Sequence, residues 1–596
     1  MAIIPNMPKR KGAIHVAKIV SRQRGKEYVS FLIRQSYREG GKVKHRTLGN
    51  ISHLPLDTIE LVRGSLQGKI YIEAHTGLTV TRTLLHGHVA AILGTLRKIG
   101  LEKMISSTPC RERDLVVSMI VSRLFDPDSK LATARELHPE TATSTLGPIL
   151  GVEGADEDDL YRAMDWLVER QGRIEKKLAA KHLSEGSLVL YDLTSSYYTG
   201  THCSLARFGH NRDRKKGFPQ INYGLLCNKE GVPVATEVFP GDEGDPSTLG
   251  VQIEKIRNRF HISRVVLVGD RGMITQARLE KEIKPVEGLD WITALRAPAI
   301  KKLAEQKILQ PSLFDKRDLA EIQSPDFPGE RLIACYNPFL AHERAQKRED
   351  LLQATERELE KIVQATKRAK RALRGKDKIG LRVGRVLNRF KMGKHFKIKI
   401  TEESLSFERN EKAIKAEAAL DGIYIVRTSV PENTMGPEDV VKAYKGLDVV
   451  ERAFRSLKTV DLKVRPIRHR KEERVRAHIF LCMLAYYVEW HMRKALAPIL
   501  FDDDDPEGAE RLRRSIVAPA QRSKRAQRKA ETKKTEEGLP VLSFQSLLKS
   551  LATIARNRVQ TGKNGEVSVK QEFELVTIPN RIQQRALDLL GVSLVL

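Results

Sequence analysis

Residues 187–296 predict a mixed α/β sheet, and three observations carry the prediction. Short apolar runs with a period of two alternate there with runs whose apolar residues recur at helical spacing. The order reads three strands, helix, strand, helix, strand, which fits a mixed sheet and not a purely parallel one. The chain has 596 residues, more than one core supports, so about two to four domains are expected. The first strand of the sheet, residues 187–198, reads SLVLYDLTSSYY and carries Asp192 where an apolar residue belongs. A carboxylate inside a strand is costly unless a cation, a hydrogen-bond network or a metal ion meets it.

Taken in order, residues 1–80 read as a small basic β-rich unit. Its strand-like alternation turns at Gly40-Gly41, and Arg34, Arg38, Lys42, Lys44, His45 and Arg46 line it. It is either a nucleic-acid-contacting appendage or a solvated hairpin. Residues 81–185 are helical in pattern, with helices over 114–125 and 158–181, and are expected to be a DNA-binding or dimerisation region. The acidic run at 156–159 opens the second helix, where negative charge meets the helix N-terminus.

Residues 186–296 hold strands at 187–198, 220–227, 232–239, 264–270 and 289–296, with a hairpin turn at Asn228-Lys229-Glu230-Gly231. Helices fall at 247–260 and 274–283. Residues 297–419 interrupt the sheet as an insertion. It holds a long charged helix over 341–374, a sheet-like stretch with Arg382, Arg385, Arg389 and Lys391, and the strand-like HFKIKITEES. Residues 420–500 resume with a strand at 421–430, a helix at 439–458 broken at Gly446, and a helix at 472–495. Residues 501–540 are charged and poor in large apolar side chains, the composition of a mobile linker. Residues 541–596 regain apolar character as a tail that packs back on the body.

Lys and Arg number 104 against 75 Asp and Glu, a formal charge of +29. That excess at ordinary hydrophobicity points to a polyanionic partner, most simply nucleic acid; a ribosome-associated or merely basic protein is the bland alternative. Cys110, Cys203, Cys227, Cys335 and Cys482 are scattered without a CxxC spacing, so they read as reduced thiols in a cytosol and not as a thiolate metal site. The first twelve residues lack a signal-peptide segment. The apolar stretch 477–490 contains His478 and Glu489 and is too short to span a bilayer, so a core helix with no membrane role is expected.

Three carboxylates stand out. Asp192 lies in the first strand, Asp270 between Gly269 and Gly272 at the end of RVVLVGD, and Glu451 in the helix after the resumed strand. Carboxylates so placed can converge on one sheet edge, and their hard oxygens suit Mg²⁺ or Mn²⁺. Each has a plainer reading. Asp192 satisfies backbone or an Arg, Asp270 pairs with Arg271 or caps the next helix, and Asp448 with Glu451 forms a D-x-x-E capping box. Glu451, Arg455 and Lys458 fall on one helical face, either for metal and phosphate or as an exposed ion pair. The loop with Arg212, Arg214, Lys215 and Lys216, and the run with Arg465, Arg468 and Arg470, suit phosphate contacts or solvent. Trp291 and His478 read as core residues.

YDLTS around Asp192, VGDRGM around Asp270, and Tyr444, Glu451 and Lys458 together resemble the DDE transposases of bacterial insertion sequences. The resemblance is to the branch with an RNase H-like catalytic core and a YREK signature, and it covers residues 187–296 and 421–495. Position 447 is Leu where the signature has Arg, with Arg452 or Arg455 as the candidate substitute. The resemblance implies an RNase H-like mixed sheet flanked by helices and interrupted by a largely β insertion. It implies that Asp192, Asp270 and Glu451 are catalytic and hold two Mg²⁺ ions, with Mn²⁺ as a substitute. Tyr444, Arg452, Arg455 and Lys458 would contact DNA. The partners implied are transposon ends, target DNA and a second copy of the chain, in the cytoplasm of a bacterium at the nucleoid. A nuclease without strand transfer and a non-catalytic DNA-binding derivative are the rival functions.

Overall fold

The computed structural model describes residues 13–23, 25–69, 71, 78–314, 317–513, 515–561 and 572–595. The first twelve residues, read above for a leader, lie outside them. The chain forms two units, one from residues 1–83 and 556–577, the other from 84–555 and 578–596.

In the smaller unit Ile14–Gln23, Lys26–Glu39 and Lys42–Asn50 form an antiparallel sheet. The expected turn forms at Gly40 and Gly41, both at positive φ, which a residue without Cβ adopts freely. Ile59 of the helix Leu56–Leu66 packs with Val16 and Phe31 in a small core. A second sheet joins Leu78–Leu85 to Ala555–Thr561 and Glu572–Val576. Part of the C-terminal tail therefore completes the N-terminal unit.

The larger unit is organised around an eight-stranded sheet. Its strands, numbered in chain order, are β1 Ser187–Tyr197, β2 Gln220–Asn228, β3 Pro233–Pro240, β4 Val265–Val268, β5 Leu289–Ala294, β6 Leu319–Ile322, β7 Arg331–Tyr336 and β8 Ile423–Thr428. Their order across the sheet is β3-β2-β1-β4-β5-β8-β7-β6. β1, β4 and β5 pair in parallel and the other neighbours antiparallel. This is the mixed, helix-flanked sheet the sequence implied. The helices Arg111–Phe125, Glu157–His182 and Glu472–Leu496 pack on one another, and the last also packs on β3. The acidic run at 156–159 serves as a cap: Asp156 accepts from Asp159 N–H at 2.8 Å, and Asp159 accepts in return from Asp156 N–H.

Three expectations need correction. Residues 376–390, read as sheet-like, form the helix Lys376–Phe390. Ile379, Val383, Leu387 and Phe390 recur at helical spacing and pack against Leu352, Leu359 and Val363 of the helix Pro338–Thr366. The insertion is thus mainly helical, not largely β. Besides β6 and β7, which extend the main sheet, its strands are the hairpin Phe396–Ile400 with Leu405–Arg409. Nor do residues 501–540 behave as a mobile linker. Ser523 and Val517 are buried, and buried Lys529 donates to the carbonyls of Ala497 and Asp502 at 2.8 Å and pairs with Asp504. Lys445 reaches the carbonyls of Ile516 and Val517 at 2.8 Å. Composition counts charges as solvated; here tertiary partners meet them.

Candidate active site

The register of two parallel strands positions the first two carboxylates. Leu190 on β1 pairs with Val268 on β4. Asp192 and Asp270 each follow two residues later, so both positions lie level with the carboxyl end of β4, on neighbouring strands about 4.8 Å apart. β1 runs on past the end of β4, pairing Asp192 with Leu225 of β2. Asp192 is half-buried, and its Oδ1 accepts the Leu193 N–H at 2.8 Å. Burial pushes its carboxyl up to about 7; the Leu193 bond and Arg212 oppose this, while Glu451 and Asp270 add to it.

Asp270 is exposed and lies in the turn beyond β4. Its Oδ2 accepts the Gly272 N–H at 3.1 Å, and its Oδ1 accepts the Tyr444 hydroxyl at 3.4 Å. It forms no ion pair with Arg271 among the described residues. A Cβ at Gly269 would meet Ile274 Cδ1 at 2.9 Å, so that side chain would have to shift to admit one.

Glu451 lies in the helix Leu447–Arg455, which follows the helix Pro437–Lys445 after an interruption at Gly446. Val450, Ala453 and Phe454 are the buried face, and the helix packs on β1. The capping-box reading fails. The helix starts at Leu447 from Gly446 without a side-chain cap, and Asp448 instead pairs with Arg452 at 3.1 Å. Glu451 is exposed and has no ion pair or side-chain hydrogen bond among the described residues. Tyr444 links the elements: burial first, then Asp270, raise its hydroxyl above the ordinary tyrosine range, and Glu451 adds to this.

The expected DNA contacts divide into free and engaged groups. Arg455 is exposed one turn beyond Glu451. Lys458 falls in the π-helical turn Ser456–Val460, which shifts it from the face expected of a regular helix. It donates to Asp213 Oδ1 at 3.0 Å, and Arg465 donates to the same oxygen. Asp213 Oδ2 also accepts the Tyr197 N–H at 3.0 Å. Arg212 binds both oxygens of Asp245 at 2.6 Å. Arg214, Lys215, Lys216, Arg468 and Arg470 are exposed. Asp213 and Asp245 were missed in the sequence; the one signal was a lone Asp inside the basic run 210–217. Trp291 and His478 are buried, as their core reading requires.

Among the described residues, no three His, Cys, Asp or Glu side chains are grouped closely enough to hold a metal ion as they stand. The donor set nevertheless fits a hard divalent cation. It is all carboxylate oxygen, and Asp192 feels the other two carboxylates with Arg212 as the one side-chain cation opposing them.

Residues 16–72 match the family described as the IS1634 family transposase N-terminal domain, and residues 184–488 match the family described as the transposase DDE domain. Among solved structures, the piggyBac transposase synaptic complex with hairpin DNA is similar at 8% identity, over 78% of this chain and 76% of that one, with a TM-score of 0.31. No curated protein matches the chain. Among the described residues no helix is long and apolar enough to cross a membrane. The second family match spans half of the sequence and contains all three carboxylates: the chain belongs to the DDE transposases, DNA-cutting and DNA-joining enzymes that work with divalent metal ions.

Proposed function

We propose that the protein binds the terminal inverted repeats of its own insertion sequence and catalyses strand cleavage and strand transfer at Asp192, Asp270 and Glu451. The observation that carries this reading is the register that sets Asp192 beside Asp270, with the Glu451 helix packed on the same strand. The three carboxylates would hold two Mg²⁺ ions, with Mn²⁺ as a substitute. When bound, such ions polarise the scissile phosphate and favour ionisation of the attacking oxygen.

The chain's own residues do the rest. Tyr444 holds the Asp270 carboxylate by its hydroxyl. Arg455, exposed beside Glu451, receives a DNA phosphate. Water attacks the phosphorus at the element end and the bond to the 3′ oxygen breaks, leaving a 3′-OH and a 5′-phosphate. That hydroxyl then attacks a second phosphodiester, which joins the strands and releases another 3′-OH. The small basic unit and the insertion grip the ends, and two copies of the chain pair them at the bacterial nucleoid.

Asp192→Asn tests the assignment. Cleavage of a labelled element-end duplex should fall by at least about a thousandfold, the several kcal/mol a metal-organised site supplies. Binding in a gel shift should persist. Cleavage that survives the substitution would sink the metal assignment. Joining of the cut end to a target plasmid separates a transposase from a nuclease without strand transfer.

A further inference from the structure

A cleft whose loop is linked to the end of β1 collects cations that the reaction above does not use. It lies between the helical region and the loop before the helix Glu472–Leu496, and Arg123, Lys130, Arg468, His469, Arg470 and Arg474 line it. The loop is tied to the catalytic strand: Tyr198 bridges to Ile467, and the Tyr198 hydroxyl donates to the His469 carbonyl at 3.2 Å. Tyr198 follows Asp192 by six residues, about 20 Å along an extended strand.

The charges at its floor are not matched. Lys130 is 4% exposed and Arg123 6% exposed. The Lys130 ammonium has no hydrogen bond or ion pair among the described residues, and Arg123 donates only to the Asp128 carbonyl, at 3.1 Å. Asp128 and Glu157 also line the cleft, and among the described residues neither forms an ion pair with Lys130 or Arg123. Asp128 accepts from Ser129 N–H, Glu157 from the Tyr161 hydroxyl, and Asp165 from Arg474. Lys130 is also the first residue of the helix Lys130–Leu137, where a cation opposes the helix dipole. Burial, and then Arg123 beside it, push its ammonium down to about 7, while His469 is pushed down to about 3 by burial and by Lys130, Arg123 and Arg474. A buried ammonium with a guanidinium for a neighbour costs stability unless an anion enters.

We propose that this cleft is a phosphate-binding subsite for DNA, with Lys130 and Arg123 as the groups that receive the phosphate and Arg468 and Arg470 at its rim. The assignment to DNA rests on the transposase reading; the anion chemistry stands without it. A free phosphate ion shares that chemistry, so the test has two arms.

The full-length protein is compared with Lys130→Met and Lys130→Arg. In the first arm, thermal denaturation is followed with inorganic phosphate exchanged for chloride at constant ionic strength. Lys130→Met should melt at or above the wild type in chloride, because a buried uncompensated charge is gone. Phosphate should raise the wild-type melting temperature and leave that of Lys130→Met unchanged. In the second arm, affinity for a fluorescent duplex of arbitrary sequence is measured against salt. The slope of log affinity on log salt should drop by about 0.9 in Lys130→Met, one phosphate contact, and return in Lys130→Arg.

A lower melting temperature with an unchanged slope would make Lys130 structural and overturn the proposal. A phosphate effect through Lys130 with an unchanged slope would overturn the assignment to DNA. A lost slope with no effect of free phosphate supports a phosphate held only as part of DNA. If wild type binds no duplex yet phosphate stabilises it through Lys130, the transposase reading fails and the anion site stands. If Lys130→Met changes nothing while Asp192→Asn abolishes cleavage, the subsite fails and the transposase reading stands.

Discussion

Two groups of acidic residues in the larger unit differ in how their charge is met. Asp461 and Glu489 are buried together, and Arg493 serves both, donating to Glu489 at 2.7 Å and to Asp461 at 2.9 Å. Ser456 completes the set with a 2.7 Å hydrogen bond to Glu489. Asp192, Asp270 and Glu451 have no such cation: the Arg212 that opposes them is committed to Asp245. The first group is closed and holds the Glu451 helix to the helix behind it. The second is left open toward solvent. Charge matched within the chain marks architecture; charge left unmatched marks a place for something from outside.

The largest effects should come from breaking this contrast. Arg493→Ala leaves buried Asp461 and Glu489 without their shared guanidinium and should cost about 3–5 kcal/mol, read as a large fall in melting temperature. Asp192→Asn should leave the melting temperature level or raise it, since it removes a charge the fold does not match. If both variants lose stability equally, the two sites do not differ in kind.

Divalent metal sharpens the comparison next. Mg²⁺ or Mn²⁺ at about a hundred times its dissociation constant should stabilise the wild type by about 2.7 kcal/mol and Asp192→Asn by much less. Equal shifts in thermal denaturation would place the binding elsewhere. A pH titration of metal-free protein gives a smaller signal. The Asp192 carboxyl, raised from 3.8 to about 7 first by burial, keeps a proton in the folded state that the unfolded chain has already lost. Stability should therefore fall as pH rises from about 4 to 7, with the loss complete above the folded value. Glu489, raised to about 8 first by burial, titrates over part of the same range. The quantity to read is thus the difference between wild type and Asp192→Asn, and parallel curves would refute it. The smallest effect is Tyr444→Phe. Its hydroxyl bond to Asp270 is long at 3.4 Å, so its loss should cost about 1 kcal/mol, or several-fold in cleavage rate, with the fold intact.

Much of this was legible because it is local. The alternation in residues 187–198 sets both the strand β1 and the odd carboxylate within it. The acidic cap at 156–159 and the hairpin at 228–231 each follow from residues a few positions apart. The three motifs around Asp192, Asp270 and Glu451 fall within the family match, though their joint action is still a proposal. What was not legible depends on partners distant in sequence. The helix at 376–390 reads as sheet locally because exposed cations interrupt the apolar spacing that packs it on another helix. The segment 501–540 has the composition of a linker, and composition does not carry the information that Asp504 and two carbonyls meet Lys529.

Asp192 itself divides along the same line. Its strand, its face and its cost were fixed by the sequence, because side-chain alternation and the desolvation of a carboxylate are properties of the segment. That Glu451 is not a helix cap, that Asp213 engages Lys458 and Arg465, and that Lys130 lies unmatched in a cleft were decided only by the tertiary structure. Whether a charge is free or matched depends on which distant groups the fold brings within a few ångströms, and no local pattern carries that information.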